Sequence, residues 1–109
     1  MRFSALPALI CAASILAGCD ASPAPPFFGA TRHEIALSGY RFTVFVKGPH
    51  AEVVRLGYLR RAERDPVPAL MIAAAEQASG CKVTGPDTGI WRSPSLPGDT
   101  GEARFHLKC

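Results

Sequence analysis

Alternation between apolar and polar residues is the feature that most narrows the folds open to this chain. The alternation extends over residues 33–59 and returns over residues 102–109. A repeat of two residues places the apolar side chains of a β-strand on one face of a sheet. The letters KGPH at residues 47–50 are typical of a turn, so the sequence predicts an antiparallel hairpin whose second strand covers residues 51–59.

The apolar positions change parity near the start of this region. Ile35 and Leu37 lie at odd positions, whereas Tyr40 and Phe42 lie at even positions. A shift of one residue would turn every following side chain to the opposite face of the sheet. Because the gap looks too short for a turn, the pattern predicts a β-bulge or a sharp bend at Ser38-Gly39.

An alanine-rich stretch after the hairpin predicts a helix. Asp65 is a good N-cap residue, Pro66 suits the first helical position, and Gly80 suits the residue that follows a helix. The alternative N-cap is Val67, directly before Pro68. One stripe of the helix is apolar and small, so we expect it to pack on the sheet; it contains Leu70, Met71, Ala74, Ala75 and Ala78.

These elements together predict an α+β domain over residues 32–109. A short strand over residues 81–84 follows the helix, and the last strand is the one with one buried face, Ala103, Phe105 and Leu107. The order is roughly ββαββ, and the pattern is compatible with an extra strand at the N-terminal end. Residues 85–101 are rich in glycine and proline and form the longest irregular region.

The N-terminus has the organisation of an export signal. Arg2 precedes an apolar run of about a dozen residues, which is shorter than the roughly 20 that a membrane-spanning helix needs. A short apolar run with a basic start, followed by small residues such as Ala17 and Gly18, is typical of a signal peptide.

The letters LAGC at residues 16–19 resemble the lipobox of bacterial lipoproteins, and the resemblance covers only residues 1–19. It implies that residues 1–18 are removed and that Cys19 carries a diacylglycerol and an acyl chain such as palmitate. The mature protein would then be anchored in membrane lipid, in the bacterial envelope, facing the periplasm. Asp20 resembles the signal that keeps some lipoproteins at the inner membrane.

Residues 19–31 are expected to form a proline-rich tether. Pro23, Pro25 and Pro26 favour an extended polyproline II conformation, which rises about 3 Å per residue. Phe27 and Phe28 do not suit a solvated linker. The pair could dock on the domain, enter the lipid headgroups or contact a partner.

Two of the 4 cysteines remain once the leader and the lipidated residue are set aside. Cys81 and Cys109 form an even pair in an oxidising compartment, so we expect a disulfide. Its closed loop would contribute about 3–4 kcal/mol to the free energy of unfolding. The alternative is a metal or redox site that includes His106, although zinc usually takes four ligands.

No catalytic residues, metal site or cofactor are predicted. His33, His50 and His106 fall at strand ends or on polar faces and are expected to be solvated. His50 and Glu52 would share one strand face, which leaves a metal or acid–base pair as an alternative. The net charge of +3 is small, and an exported protein meets no nucleic acid, so nucleic-acid binding is not expected.

Two groups of residues are candidates for an interaction surface. One is the basic patch of Arg55, Arg60, Arg61 and Arg64, and the other is Ile90-Trp91 in the 85–101 loop. The sequence therefore predicts a lipid-anchored, non-enzymatic accessory or interaction subunit that contacts an envelope protein. The alternative is a small ligand- or metal-binding module that uses the 85–101 loop or His50 and Glu52.

Overall fold

A computed structural model describes residues 21–94 and 100–109 of the chain. They form a five-stranded antiparallel sheet with a helix on one face, as the predicted α+β class requires. The strands lie in the order β1-β2-β3-β5-β4. Their bounds are β1 Thr31–Leu37, β2 Tyr40–Lys47, β3 His50–Leu56, β4 Lys82–Pro86 and β5 Glu102–Lys108, and the helix is α1 Val67–Ser79. The predictions for residues 1–18, Cys19 and Asp20 lie outside the described residues.

The change of parity at Ser38-Gly39 is a hairpin turn, not the predicted bulge. Leu37 pairs directly with Tyr40, so only two residues separate β1 from β2. The two turn residues have positive φ, 52° at Ser38 and 83° at Gly39. Positive φ at both positions is typical of the tight turn whose twist matches that of paired strands. The extra N-terminal strand that the pattern allowed is therefore β1.

Helix α1 ends where the sequence predicts and begins one residue away from either predicted start. Gly80 has φ 73° and donates its N–H to the carbonyl of Glu76, which completes the C-terminus. Asp65 does not cap the helix because the 3-10 turn Arg61–Arg64 continues into it and gives Asp65 helical backbone angles. An N-cap residue needs an extended backbone instead. In the described part of the chain, no helix has the length and apolar character to cross a bilayer.

The main core lies between α1 and the sheet. The predicted stripe contributes Met71, Ala74 and Ala75, all buried, with Leu70 and Ala78 partly buried at its sides. The small alanine side chains let the helix approach the strands closely. The sheet side of this core consists of Ile35, Phe42, Val44, Ala51, Val53, Phe105 and Leu107.

The predicted disulfide between Cys81 and Cys109 is confirmed. Cys81 precedes β4 and Cys109 follows β5, directly beyond the paired residues Lys82 and Lys108. The bond thus fastens the edge strand β4 to its neighbour. It also occupies both sulfur atoms, so these cysteines are not thiolate ligands for a metal.

Candidate functional site

The sheet face opposite α1, here called the second face, is also covered. Two irregular segments lie on it: the N-terminal segment, residues 21–30, and the loop segment, residues 87–94. Phe27 is 0% exposed, and its ring meets the Trp91 ring edge-on with centroids 5.2 Å apart. Of the neighbouring pair, Phe27 therefore docks on the domain, whereas Phe28 stays 60% exposed.

Hydrogen bonds fix the N-terminal segment along its length. Arg32 Nη1 donates to the carbonyl of Ala21 over 2.9 Å, and the N–H of Ala24 donates to Glu52 Oε1 over 3.0 Å. Lys47 Nζ donates to the carbonyls of Pro26 and Phe28, over 3.2 and 2.8 Å. The folded part of the chain thus starts before the predicted boundary at residue 32, because part of the expected tether packs on the sheet.

A cluster of charged side chains lies under these segments. Arg104 Nε is 3.1 Å from Glu52 Oε2 and 2.7 Å from Glu102 Oε2, and Arg104 Nη1 donates to the carbonyl of Arg92 over 2.7 Å. Glu52 is 2% exposed and Arg104 is 8% exposed. The ring of Phe27 lies 5.7 Å from the guanidinium carbon of Arg104.

Burial raises the pKa of the Glu52 carboxyl above its ordinary value. The adjacent Glu102 carboxyl adds to this rise, whereas the Ala24 N–H and the Arg104 guanidinium partly offset it. Two carboxylates share a single guanidinium here, so one proton would make the cluster neutral. Glu52 and Arg104 are shielded from solvent, whereas the Glu102 side chain is 20% exposed.

His50 is not the solvated group that the sequence predicts. Its Nδ1 is 2.6 Å from Asp87 Oδ2, and its ring stacks on Trp91 with centroids 3.8 Å apart. Asp87 is itself buried and donates its N–H to the carbonyl of Arg104. The loop segment brings these partners to His50 by folding back over the second face, which no local pattern around His50 indicates.

The other two histidines make contacts at the periphery of the sheet. The His33 ring lies 3.3 Å from Thr31 Oγ1, and the His106 ring lies 3.0 Å from Thr84 Oγ1. His106 also meets His50 edge-on, with ring centroids 5.9 Å apart. The hydroxyl partners of His33 and His106, Thr31 and Thr84, are uncharged.

The His50–Asp87 pair has part of the geometry of a catalytic base. A carboxylate that holds one imidazole nitrogen can orient the other nitrogen toward a nucleophile. Among residues 21–94 and 100–109, however, no Ser, Thr or Cys side chain hydrogen-bonds to the His50 ring. Glu52 shares the strand face with His50 but pairs with Arg104. In the same residues, no group of three or more His, Cys, Asp or Glu side chains could hold a metal ion.

A second candidate site is a surface cleft of about 570 Å³ beside the N-terminal end of α1, here called the arginine cleft. Arg55 Nε donates to the carbonyl of Thr100 over 2.8 Å, and Arg55 Nη1 donates to that of Gly57 over 2.6 Å. Arg64 donates through Nε and Nη2 to the carbonyl of Leu59. The described residues that form the wall of the arginine cleft are Arg55, Arg61, Arg64, Asp65, Pro68, Thr100 and Gly101.

The predicted interaction residues fall into two regions of the molecule. Trp91 stacks on His50 at the start of β3, whereas Arg55 lies near the end of that strand, roughly 17 Å away along it. Trp91 is half-buried, and Ile90 beside it is 74% exposed. The patch residues Arg61 and Arg64 line the cleft, and Arg60 is exposed outside its wall. Residues 95–99 of the predicted loop lie outside the described residues.

The sequence placed all three cleft arginines in one basic patch, together with Arg60, but it did not indicate that Thr100 and Gly101 would complete the wall. The contact between Arg55 and Thr100 joins residues 45 positions apart, so only the pairing of β3 with β5 brings them together. The charged cluster of Glu52 and Arg104 was missed because both residues occupy the polar positions of alternating strands. No protein-family model, curated protein or solved structure matches this chain.

Proposed function

We propose that this chain is a lipid-anchored, non-enzymatic interaction subunit of the bacterial envelope, held at the periplasmic surface of a membrane through acylated Cys19. The observation that supports this proposal is the packing of the N-terminal segment. The chain is bound to the domain from Ala21 onward, only two positions after Cys19. A lipid on Cys19 would thus be attached almost directly to the folded domain.

The spacing determines how far the domain can move from the bilayer. Two residues of extended chain reach about 7 Å, far less than the roughly 30 Å that a free tether of residues 20–30 would span. A domain on so short a link would keep one side toward the lipid. It would present the remaining surfaces to membrane proteins at a high effective concentration.

Ile90 is the best-supported contact residue for a protein partner. Its side chain is 74% exposed, yet the segment that carries it is fixed on both sides. Asp87 holds the segment to His50, and Arg104 binds the carbonyl of Arg92. An exposed apolar side chain on a rigid base loses little conformational entropy on binding, which favours its use at an interface.

The anchoring is tested by expressing the full chain and its Cys19→Ser variant in a bacterium and separating membranes from the periplasmic fluid. We expect the unaltered protein in the membrane fraction, with an acyl mass on the peptide that begins at Cys19. The variant should be found in the fluid or keep its leader. Unaltered protein that is free in the fluid, or that carries no acyl mass, would contradict the proposal.

The partner is tested by placing a photoreactive amino acid at Ile90 in intact cells. Gln77, which is exposed on α1, provides the matched control position. We expect a crosslinked protein from position 90 and none from position 77. Monomer alone at both positions, together with a bound metal or small molecule in native mass spectra, would support the alternative of a small ligand- or metal-binding module.

A further inference from the structure

We propose that the arginine cleft is a binding site for a phosphate group. None of the described residues that line the cleft belongs to the loop segment or the N-terminal segment, so this inference goes beyond the proposed function. It holds whether or not Cys19 is acylated. It depends on the three guanidinium groups of the wall, Arg55, Arg61 and Arg64.

The three cleft arginines differ from Arg32 and Arg104, which have carboxylate partners. Arg32 pairs with Glu34, and Arg104 pairs with Glu52 and Glu102. In the described residues, no carboxylate forms an ion pair with Arg55, Arg61 or Arg64. Three positive charges around one cleft repel each other, and an anion would remove that repulsion.

Two of the three guanidinium groups are nevertheless fixed in position. Arg55 and Arg64 each donate two N–H groups to backbone carbonyls, those of Thr100 and Gly57 for Arg55 and that of Leu59 for Arg64. A carbonyl is neutral, so it orients a guanidinium without cancelling its charge. Each guanidinium carries five N–H donors, so donors remain for a ligand.

The third group, Arg61, makes no hydrogen bond or ion pair among the described residues, so all its donors are available. One planar guanidinium group can donate two parallel hydrogen bonds to two oxygens of a phosphate, which gives arginine its common role in phosphate recognition. The cleft volume of about 570 Å³ is large enough for a phosphate and part of the group that carries it.

Asp65 gives the site a feature that can be tested. Among the described residues of the cleft wall, Asp65 is the carboxylate, and it lowers the positive potential that three arginines would otherwise produce. A phosphate should therefore bind more tightly when Asp65 is neutral. The phosphate could belong to an anionic lipid headgroup or to a free phosphate compound, since both present the same oxygen atoms.

The test uses the chain as it is recovered from cells, in a nonionic detergent without phosphate. Inorganic phosphate is titrated to roughly 10 mM, which would fill a site with a Kd near 1 mM. We expect NMR shifts at the Thr100 and Gly101 amides. Arg61→Gln and Arg64→Gln should each weaken binding about tenfold. Asp65→Asn should strengthen it about threefold at low salt, and added salt should weaken it.

Arg92→Gln is the matched control, because it removes the same charge from an exposed position outside the cleft wall. Its binding should equal that of the unaltered chain. Micelles doped with phosphatidylglycerol form the second arm of the test, and shifts found only there would assign the phosphate to a lipid. No shift in either arm, or equal weakening by Arg92→Gln and Arg61→Gln, would overturn the proposal.

Discussion

The two faces of the sheet are both buried, but by different means. The face under α1 is apolar, and its stability comes from removing Phe42, Val44, Val53 and their neighbours from water. The second face buries Glu52, Arg104 and Asp87 together with Phe27 and Phe45. Buried charge is tolerated only when it is paired and hydrogen-bonded. In the described part of the chain, no buried side-chain nitrogen or oxygen lacks a partner.

The two faces therefore differ in how accurately the segments that cover them must be positioned. An apolar face tolerates small shifts in its covering helix, because the hydrophobic effect has no direction. The second face needs its covering segments at fixed positions, since the Ala24 N–H donates to Glu52 and the Arg92 carbonyl accepts from Arg104. A substitution there should affect the charged groups as well as the packing.

The largest expected effect comes from Phe27→Ala. Phe27 is fully buried between Trp91 and Arg104, so its removal should lower the free energy of unfolding by about 4 kcal/mol, as for a core phenylalanine. Phe28→Ala, at the adjacent exposed position, should cost less than about 0.5 kcal/mol. Urea denaturation of both variants measures the difference. Equal small losses would mean that the N-terminal segment does not belong to the core.

Arg104→Met should have the next largest effect, about 3 kcal/mol, because it leaves two carboxylates without their shared cation. Adding Glu52→Gln should recover part of the loss, since it removes one of the uncompensated charges. A double-mutant cycle in urea denaturation provides the coupling energy. Additive losses in the double variant would show that the two side chains act independently.

Acidification should stabilise the second face, whereas it destabilises most proteins in which carboxylates are paired. The pKa of Glu52 is raised in the folded chain, so the folded state binds this proton more readily than the unfolded state. Stability should therefore rise as the pH falls through the raised value toward 4.5, the ordinary pKa of the group. The slope is at most about 1.4 kcal/mol per pH unit.

The measurement is the difference in free energy of unfolding between the unaltered chain and Glu52→Gln across this range. The variant cannot take up the proton, so it should lack the rise, and the difference should grow in favour of the unaltered chain on acidification. Parallel pH profiles for the two proteins would contradict the raised pKa.

Much of the sheet face under α1 could be predicted from the sequence, because its buried side chains follow from local repeats. The alternation in β2 and β5 and the stripe on α1 each identify their buried side chains, and Gly80 identifies the helix end. The second face could not be predicted in this way. Glu52 and Arg104 occupy positions that face solvent in a sheet with one covered face. Their burial depends on segments that have no periodic pattern.

In the candidate sites too, only the residues close together in sequence could be predicted. Arg61 and Arg64 lie three positions apart in the sequence, so the sequence alone shows them as a basic patch, whereas the contribution of Thr100 depends on the pairing of distant strands. His50 shows the same limit, since its partner Asp87 lies 37 positions away in a loop. Turn and capping residues indicate where such a loop begins, but they do not indicate which face it covers.

The hydrogen bonds from Arg32 to Ala21 and from Ala24 to Glu52 also define where the protein can be cut for recombinant production. A chain that starts at residue 32 would keep α1 and all the strands except the first residue of β1, Thr31, yet it would lose Phe27 and uncover the Arg104 cluster. Its solubility and its binding behaviour would then report on an exposed interior surface. A faithful soluble version of the domain must begin at Ala21 or earlier.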